Sequence, residues 1–200
     1  MEFSKVRQAL MQRGFTVEVY DTKEEATAHL AGAIQGTSVG IGGSVTVQQM
    51  ELYPALARYN QVFWHWQLPT GCTAEQMRQA ARGERVYISS VNALAETGEI
   101  VNIDGVGNRV GEIFYGHSQV YLVVGKNKLT PNLNQALYQA RNIAAPKNAR
   151  RMGLATPCVA AGHCVNCTSP QRICNGVGVL LQKPTGASVC VVLIKEDLGF

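Results

Sequence analysis

The sequence predicts an α/β fold of three layers, with helices on both faces of a mainly parallel β-sheet. Short β-type segments alternate with helical segments of about 10–15 residues, an arrangement typical of βαβ units. The chain has 200 residues, of which 46% are hydrophobic and 16% charged, which suffices for one domain with a substantial core. Neither an internal repeat nor an obvious linker divides it, so we predict a single domain over residues 1–200.

Apolar periodicity and helix caps define the elements of the first half. Residues 1–13 carry apolar side chains at helical spacing, and Gly14 follows as a helix-ending residue. The sequences TKEE, from Thr22, and TAEQ, from Thr73, are capping boxes that each open a helix. Another helix is predicted to start after Ser44. Strands are predicted at 15–20, 38–41, 61–66 and 86–89.

From residue 100 the pattern becomes richer in strands, at 100–103, 120–124, 177–181 and 189–194. Thr130 and Pro131 supply a cap and a first helical residue, and a second helical segment covers about 146–152. The late β-rich portion predicts a few antiparallel strands beside the parallel sheet. We predict that the cysteine-rich segment, residues 156–175, is a loop.

Charge is distributed unevenly along the chain. Residues 1–112 hold 12 acidic and 9 basic side chains, whereas residues 113–200 hold 2 acidic and 9 basic ones. A basic half favours an anionic substrate, nucleic acid or a negatively charged cluster as its partner. The bases are scattered and surrounded by no recognised nucleic-acid motif, so we expect no nucleic-acid partner.

Hydropathy gives no indication of a membrane protein. No apolar run reaches the roughly 18 residues needed to cross a bilayer. The first fourteen residues are amphipathic and lack a signal-peptide pattern. We therefore expect a cytoplasmic protein without a membrane partner, in a compartment where thiols stay reduced.

Four cysteines within seventeen residues are the most informative motif. Cys158, Cys164, Cys167 and Cys174 have the spacing C-x5-C-x2-C-x6-C, inside a stretch without acidic residues. Four sulfurs suit tetrahedral Zn²⁺ or an iron–sulfur cluster, and in the cytosol such clustering more often means metal than disulfide. The spacing matches neither the bacterial ferredoxin run nor a zinc ribbon, so the metal stays open. A redox pair or reduced structural thiols are the alternative, and His163 is either a spare ligand or an exposed loop residue.

A glycine-rich turn follows the strand at residues 38–41. Gly42, Gly43 and Ser44 lead from this strand into a helix, which exposes backbone N–H groups that can bind an anion. The turn is neither a P-loop nor a G-x-G-x-x-G motif. The alternative is an ordinary tight β–α turn.

Polar side chains are concentrated in residues 96–113. We predict that Asn108 and Arg109 bind an anion and that Asp104 either acts as a general base or fixes Arg109. Glu96 is the second candidate for acid/base or nucleophilic catalysis. The alternative is a hairpin whose Asp-Gly and Gly-Asn pairs form turns with solvated charges.

Other candidate residues are better explained by packing. The Trp-His-Trp run at 64–66 reads as an aromatic strand with alternating faces, which leaves His65 without an evident partner. His117 follows a glycine and is predicted to lie in a turn. Cys72 and Cys190 stand alone and are predicted to be packing residues.

Together, VGIGGSVT, ALAETGEIVNIDGVGNRVGEIFYGH, TPCVAAGHCVNCTSPQRICN and the terminal KEDLGF resemble the lactate-utilisation (LUD) domain proteins, in their single-domain, cysteine-bearing branch. The resemblance implies the fold shared by ribose-5-phosphate isomerase, glucosamine-6-phosphate deaminase and the CoA transferases. In that superfamily a glycine-rich turn grips phosphate or acyl groups, and Gly42–Ser44 occupy the matching place. Asp104-Gly105 is similar to the isomerases' Asp-Gly pair, but residues 106–109 replace the acidic residues that follow it, which argues against isomerase activity.

The resemblance also implies a function, because relatives oxidise lactate to pyruvate together with iron–sulfur partner subunits. It favours an accessory or electron-transfer role, with a small carboxylate or phosphate as ligand, redox subunits as partners, and homo-oligomers left open. The cysteines would hold an iron–sulfur cluster, expected to be 4Fe–4S, or zinc in its place. Two further hypotheses are an acyl- or phosphosugar-processing enzyme that uses Glu96 or Asp104, and a non-catalytic binding subunit stapled by zinc.

Overall fold

The computed structural model describes residues 3–200, so the first two residues of the predicted first helix lie outside the described part. Within it, the strands are β1 (Thr16–Tyr20), β2 (Ser38–Ile41), β3 (Gln61–Trp64), β4 (Val86–Ser90), β5 (Ala93–Ala95), β6 (Ile100–Asp104), β7 (Gln119–Gly125), β8 (Leu129–Thr130), β9 (Gly176–Leu180) and β10 (Ser188–Ile194).

The helices surround these strands in alternation with them. They are α1 (Phe3–Gln12), α2 (Lys23–Ala33), α3 (Val45–Gln49), α4 (Leu52–Leu56), α5 (Ala74–Ala81), α6 (Asn108–Phe114), α7 (Leu133–Gln139), α8 (Ala145–Arg151) and α9 (Pro157–Ala161). A 3-10 turn over Lys126–Lys128 follows β7, and a π-helical turn over Ala140–Ala144 joins α7 to α8. None of the helices in residues 3–200 is long and apolar enough to cross a membrane.

The main sheet has six parallel strands in the order β1-β10-β7-β4-β2-β3. Its four inner strands are largely buried on both faces, as expected for a sheet covered by helices, whereas the edge strands β1 and β3 are mostly half-buried. On one face α2, α3 and α4 pack through residues such as Leu30, Val47 and Leu56. On the other, α1 packs through Val6 and Leu10. The predicted α/β fold with a mainly parallel sheet is confirmed.

The antiparallel strands form a separate second sheet with the order β8-β5-β6-β9. In it β6 pairs antiparallel with both β5 and β9, whereas β8 runs parallel to β5. One face of this sheet shares the apolar core that includes α1, through Leu94 and Ile100. The other face packs against α7 and the π-helical turn through Ala136 and Ala140. The second sheet therefore stands between the main sheet and a last helical layer.

Two local features differ from the sequence predictions. The Gly-Asn pair at 107–108 starts helix α6 instead of a hairpin turn, with Gly107 in the left-handed region at φ +90°. A hairpin does exist in this region, but its turn covers residues 96–99 and joins β6 to the unpredicted strand β5. The three residues Ala93–Ala95 are too short a segment to show a β pattern in sequence, and pairing with β6 and β8 makes them a strand.

Candidate functional site

A cavity of about 280 Å³ opens at the carboxyl edge of the main sheet, where ligands of α/β proteins usually bind. Residues that follow β2, β3, β4 and β7 line it from the sheet side. The end of β6, the start of α6, and α8 close it from the other side. The side chains that matter below come from Ser44, Thr46, His65, Trp66, Arg78, Ser90, Asn92, Asp104, Asn108, Arg109, Lys128 and Arg151.

The glycine turn after β2 is packed too closely for any side chain. A Cβ placed on Gly42 would lie 2.6 Å from the hydroxyl oxygen of Tyr87, and one on Gly43 would lie 2.9 Å from Nε2 of His65. Ser44 caps α3, because its hydroxyl accepts the N–H of Val47 at 3.2 Å. Gly43 and Ser44 line the cavity, and Gly42 lies directly behind them. Anion binding by this turn stays a prediction.

Asp104 ends β6 and is buried at the wall of the cavity. Its Oδ2 accepts the backbone N–H groups of Arg109 at 2.8 Å and Val110 at 3.2 Å. These two donors belong to the first turn of α6, which has no acceptor of its own for them. Asp104 therefore holds the start of α6, and with it Arg109, in position.

The guanidinium of Arg109 is oriented by two acceptors. It donates to the backbone oxygen of Ile103 at 2.6 Å and to Oδ1 of Asn92 at 3.2 Å. Asn92 is itself fixed, since the same oxygen accepts the N–H of Ile103 at 2.9 Å. Both hydrogen bonds are donated by Nη2 of Arg109. Its Nη1 and Nε therefore have no acceptor among the described residues. Asn108 lines the cavity beside it.

Lys128 is a cavity residue that sequence reasoning missed. Its side chain is buried, with 3% of the residue exposed, and its Nζ lies 2.7 Å from both Thr46 Oγ1 and Ser90 Oγ. Burial, with a smaller contribution from Arg109, lowers the pKa of this amine to about 7. No carboxylate of residues 3–200 forms an ion pair with it. In the sequence KNKL, a lysine resembles a solvated turn residue, so no local signal distinguished it.

His65 also lines the cavity, a position that the sequence analysis did not assign to it. Strand β3 ends at Trp64, so the alternation assumed for residues 61–66 does not extend to His65. The ring packs against Gly43, and burial lowers the pKa of His65 to about 4, with further lowering from the nearby positive charges of Arg78 and Arg109. His65 is therefore neutral near pH 7.

Trp66 and α8 complete the wall. The Trp66 ring stacks on Trp64 at a centroid distance of 5.4 Å, and the guanidinium carbon of Arg151 lies 4.8 Å from the Trp66 ring centroid. A cation held over an aromatic face is stabilised by the ring quadrupole. Arg78 approaches from α5, where Glu75 pairs with it at 2.8 Å.

The electrostatic result is an excess of positive charge around the cavity. Its permanently charged cations are Arg78, Arg109 and Arg151, and Lys128 adds a fourth positive charge when it is protonated. Among the described lining residues the one carboxylate side chain is Asp104, so a single negative charge offsets the three arginines only in part.

Glu96 does not reach the cavity. It lies at the opposite end of β6 from Asp104, where its Oε2 pairs with Lys5 Nζ at 3.1 Å. At about 3.4 Å per residue, the five residues of β6 alone span roughly 14 Å, and Glu96 lies beyond the start of the strand. Glu96 therefore ties α1 to the second sheet, and only Asp104 of the two catalytic candidates adjoins the cavity.

The four clustered cysteines are free thiols, each partly buried. Within residues 3–200, no three Cys, His, Asp or Glu side chains come close enough together to hold a metal ion. The donor set suits zinc or an iron–sulfur cluster chemically, but its sulfurs are not gathered into a centre in this arrangement.

The C-x2-C part of the segment nevertheless has the local geometry of a sulfur turn. Asn166 has φ +49°, and its N–H points to Sγ of Cys164 at 3.4 Å. The guanidinium of Arg141 lies 3.7 Å from the same sulfur. The sulfur of Cys164 thus has an N–H donor and a guanidinium as neighbours.

The end of the cysteine segment contacts the cavity. Ile173 lines the cavity, and the backbone N–H of Asn175 donates to the backbone oxygen of Asp104 at 3.0 Å. Cys174 lies between them in sequence and packs against the apolar core of the second sheet. The cysteine segment is thus hydrogen-bonded to the strand end that carries Asp104.

The remaining candidate residues have ordinary roles. Cys190 is buried in the core, as predicted, and His163 is exposed. His117 is buried rather than placed in an open turn: its ring stacks on Tyr87, and its Nε2 lies 2.7 Å from Oε2 of Glu112.

The parallel sheet, the tight glycine turn and the cationic cavity at the carboxyl edge define an α/β protein with a candidate small-ligand site at that edge. The LUD domain family model matches residues 3–194. The chain therefore belongs to the LUD domain family and is a lactate-utilisation-type protein.

A solved structure supports the fold. The crystal structure of a DUF162 family protein from Deinococcus radiodurans has a TM-score of 0.55 and 10% sequence identity, and the alignment covers 96% of this chain and 94% of that one. At this identity the likeness concerns the fold alone. No curated protein sequence matched the chain.

Proposed function

We propose that this LUD-domain protein binds a small anionic metabolite, a carboxylate or a phosphate, in the cavity at the carboxyl edge. It would thereby serve the oxidation of a small organic acid such as lactate, as an accessory or electron-transfer component. The observation that carries the proposal is the convergence of Arg109 and the buried Lys128 on one cavity without an ion pair to Lys128 among the described residues.

Arg109 is the principal anion ligand in this proposal. Its guanidinium is held by Asn92 and Ile103, so little conformational freedom is lost when an anion binds to its remaining donors. A planar guanidinium presents parallel N–H groups that match two oxygens of a carboxylate or phosphate. Lys128 and Arg78 add positive charge from the two sides of the cavity.

The size of the cavity supports a small ligand. A volume of about 280 Å³ lies at the lower end of the range for small-molecule sites, roughly 300–1,000 Å³. A three-carbon acid fits such a volume together with ordered water. The stacked rings of Trp64 and Trp66 make the wall rigid, which favours one ligand orientation.

We include the cysteine segment in the proposal as the second functional element. Cys158, Cys164, Cys167 and Cys174 would be drawn together around an iron–sulfur cluster or zinc, and the N–H···S contact from Asn166 to Cys164 is a local turn compatible with that role. A bound cluster would supply one-electron transfer next to the cavity, whereas zinc would only order the loop.

Isothermal titration of the purified protein with sodium L-lactate, pyruvate and inorganic phosphate tests the anion site. We expect saturable binding of at least one of them, weakened about tenfold or more in Arg109→Ala, because a hydrogen bond to a charged group contributes roughly 1.5–3 kcal/mol. Arg58→Ala removes an exposed arginine outside the cavity lining and should leave the affinity unchanged. Equal affinities of wild type and Arg109→Ala would refute this role.

Metal analysis of protein purified without oxygen tests the cysteine element. We expect iron and acid-labile sulfide, with broad absorbance near roughly 400 nm that is lost in Cys167→Ser. Colourless protein with one zinc per chain would support the zinc-stapled binding subunit instead. Protein without metal after reconstitution attempts with iron and with zinc would remove this element of the proposal.

A superfamily-type enzyme is the second candidate, favoured by the position of Asp104 in the cavity wall beside Arg109. In that case Asp104 would serve as the acid/base, and turnover of an acyl or phosphosugar substrate should survive in metal-free protein. Asp104→Asn should then abolish turnover while leaving anion binding measurable.

A further inference from the structure

The surroundings of the Lys128 nitrogen define its hydrogen-bond geometry. Nζ lies 2.7 Å from Thr46 Oγ1 and 2.7 Å from Ser90 Oγ. Together with Cε, these contacts account for three of the four tetrahedral directions of the nitrogen. The fourth direction has no hydrogen-bond partner among the described residues.

The other hydrogen bonds of the two hydroxyl groups determine which atom donates in each contact with Lys128. Ser90 donates its own proton to the backbone oxygen of Val123 at 2.6 Å, and Thr46 donates to the backbone oxygen of Leu198 at 3.2 Å. Ser90 Oγ also lies 3.3 Å from Thr46 Oγ1, but each hydroxyl has a single proton and the carbonyl oxygens can only accept. With both protons on these carbonyl oxygens, both hydroxyl oxygens accept from Lys128. Lys128 thus donates two N–H groups in either charge state, and the fourth direction holds a lone pair when the amine is neutral and a proton when it is charged.

Positive charge dominates the elements packed around this nitrogen. Arg109 on α6 lowers the pKa of Lys128, after the larger effect of burial. The other charged or titratable groups around the cavity are Arg78 on α5, Arg151 on α8, His65 after β3 and Asp104 on β6. Lys126 belongs to the same 3-10 turn but is exposed to solvent.

We propose that Lys128 takes up a proton when an anion binds in the cavity, so that ligand binding and protonation of this buried amine are coupled. The inference rests on the proposed function, that an anion binds there at all. The ligand class is a carboxylate or phosphate of which one oxygen lies at the fourth position of Nζ while Arg109 holds the group.

Charge balance gives the direction of the effect. A bound anion stabilises the protonated amine and raises its pKa, so the complex holds a proton that the free protein has lost at pH 8. Starting from a pKa of about 7, the free amine is roughly nine-tenths neutral at pH 8. Binding at pH 8 therefore takes up close to one proton, and the affinity falls up to about tenfold per pH unit above 7.

Titration calorimetry of the full-length protein with sodium L-lactate and pyruvate, at pH 6 and pH 8, measures this uptake. Carboxylates of this kind stay ionised over the whole range, so the ligand itself contributes no proton. Two cationic buffers of different ionisation enthalpy, Tris and triethanolamine, give the number of protons at pH 8 without competing anions. We expect roughly 0.9 proton per site at pH 8 and much less at pH 6.

Two substitutions at the same position assign the proton. Lys128→Met has similar length and no charge, and Lys128→Arg cannot lose its proton; both should bind lactate or pyruvate without proton uptake. Lys126→Met is the matched control from the same turn and should behave as wild type. If circular dichroism shows that one of the two variants at position 128 is unfolded, the proton uptake of the other variant alone tests the role of Lys128.

The outcomes separate this inference from the proposed function. Binding to wild type without proton uptake, or equal uptake in the variants at position 128, overturns the role of Lys128 and leaves the anion site intact. Wild-type protein that binds neither lactate nor pyruvate, nor phosphate in the direct titration, overturns the anion site and this inference with it.

Discussion

The cavity and the cysteine segment, residues 156–175, are adjacent, but they are built in opposite ways. The cavity gathers side chains from α3, β4, α6 and the turn after β7, which are far apart in sequence. Three of its polar side chains, Thr46, Ser90 and Lys128, are buried and hydrogen-bonded to one another. The cysteine segment is one continuous stretch of exposed and half-buried residues whose sulfurs do not converge.

This difference indicates where each region obtains its order. The cavity is ordered by the fold itself, because Asp104, Asn92 and Thr46 make hydrogen bonds that exist without a ligand. The cysteine segment has few such bonds to its thiols, so its functional arrangement would have to come from a ligand. Substitutions should therefore act on stability in the first region and on metal content in the second.

The largest expected contrast is between Asp104→Ala and Cys164→Ser. Removing the carboxylate of Asp104 leaves the N–H groups of Arg109 and Val110 without an acceptor at a partly buried helix start, so we expect the free energy of unfolding to fall by about 2–3 kcal/mol. Cys164→Ser in metal-free protein should change it by less than about 0.5 kcal/mol. Urea denaturation of both variants measures this, and equal losses would contradict the comparison.

The same two regions show how much of the fold and of the candidate site the sequence predicts. The parallel strands were predictable because their apolar runs are flanked by capping boxes and glycines, and β2 and β7 lie within about a residue or two of the expected bounds. The glycine turn and residues 104–109 were recognised as candidate site segments because glycines and polar side chains follow apolar strands at these two points. The structure brings these two segments to one cavity.

The sequence analysis did not identify Lys128 and His65 as cavity residues, and the reason is physical. Their neighbours in sequence are ordinary, and their properties arise from burial by distant residues such as Thr46, Gly43 and Ser90. The reverse holds for the cysteines, whose spacing is conspicuous in sequence while the fold alone does not assemble them. Local spacing reveals potential ligands, but a pKa that burial lowers is a tertiary property.

A second, intermediate contrast concerns two glycines near α6. Gly42→Ala forces a Cβ to within 2.6 Å of the Tyr87 hydroxyl and 2.8 Å of the Ser89 hydroxyl, and the buried Tyr87 ring cannot move aside. We expect a loss of about 1–3 kcal/mol in the free energy of unfolding, as for other overpacked sites. Gly111→Ala, in the middle of α6 with no atom within 4 Å of the new Cβ, should instead stabilise the protein by about 0.5–1 kcal/mol. Thermal unfolding of the pair checks both signs.

The smallest expected effect compares one histidine from each region, His65 in the cavity and His163 in the cysteine segment. The folded state holds the pKa of His65 at about 4, below its ordinary value near 6.5, because burial and the charges of Arg78 and Arg109 disfavour the imidazolium. As the pH falls below 6.5, the unfolded chain binds the proton first, so the free energy of unfolding decreases until about pH 4. His65→Gln lacks this proton and should lose less stability over the same interval, by about 1 kcal/mol after allowance for partial solvent screening.

Urea denaturation at pH 7, 5.5 and 4.5 measures the difference, with the exposed His163→Gln as the matched control that should follow wild type. If the curves of His65→Gln and wild type ran parallel, the positive charge of the cavity would already be offset by solvent or by a buffer anion bound there. Repeating the series in chloride and in acetate would distinguish these two causes.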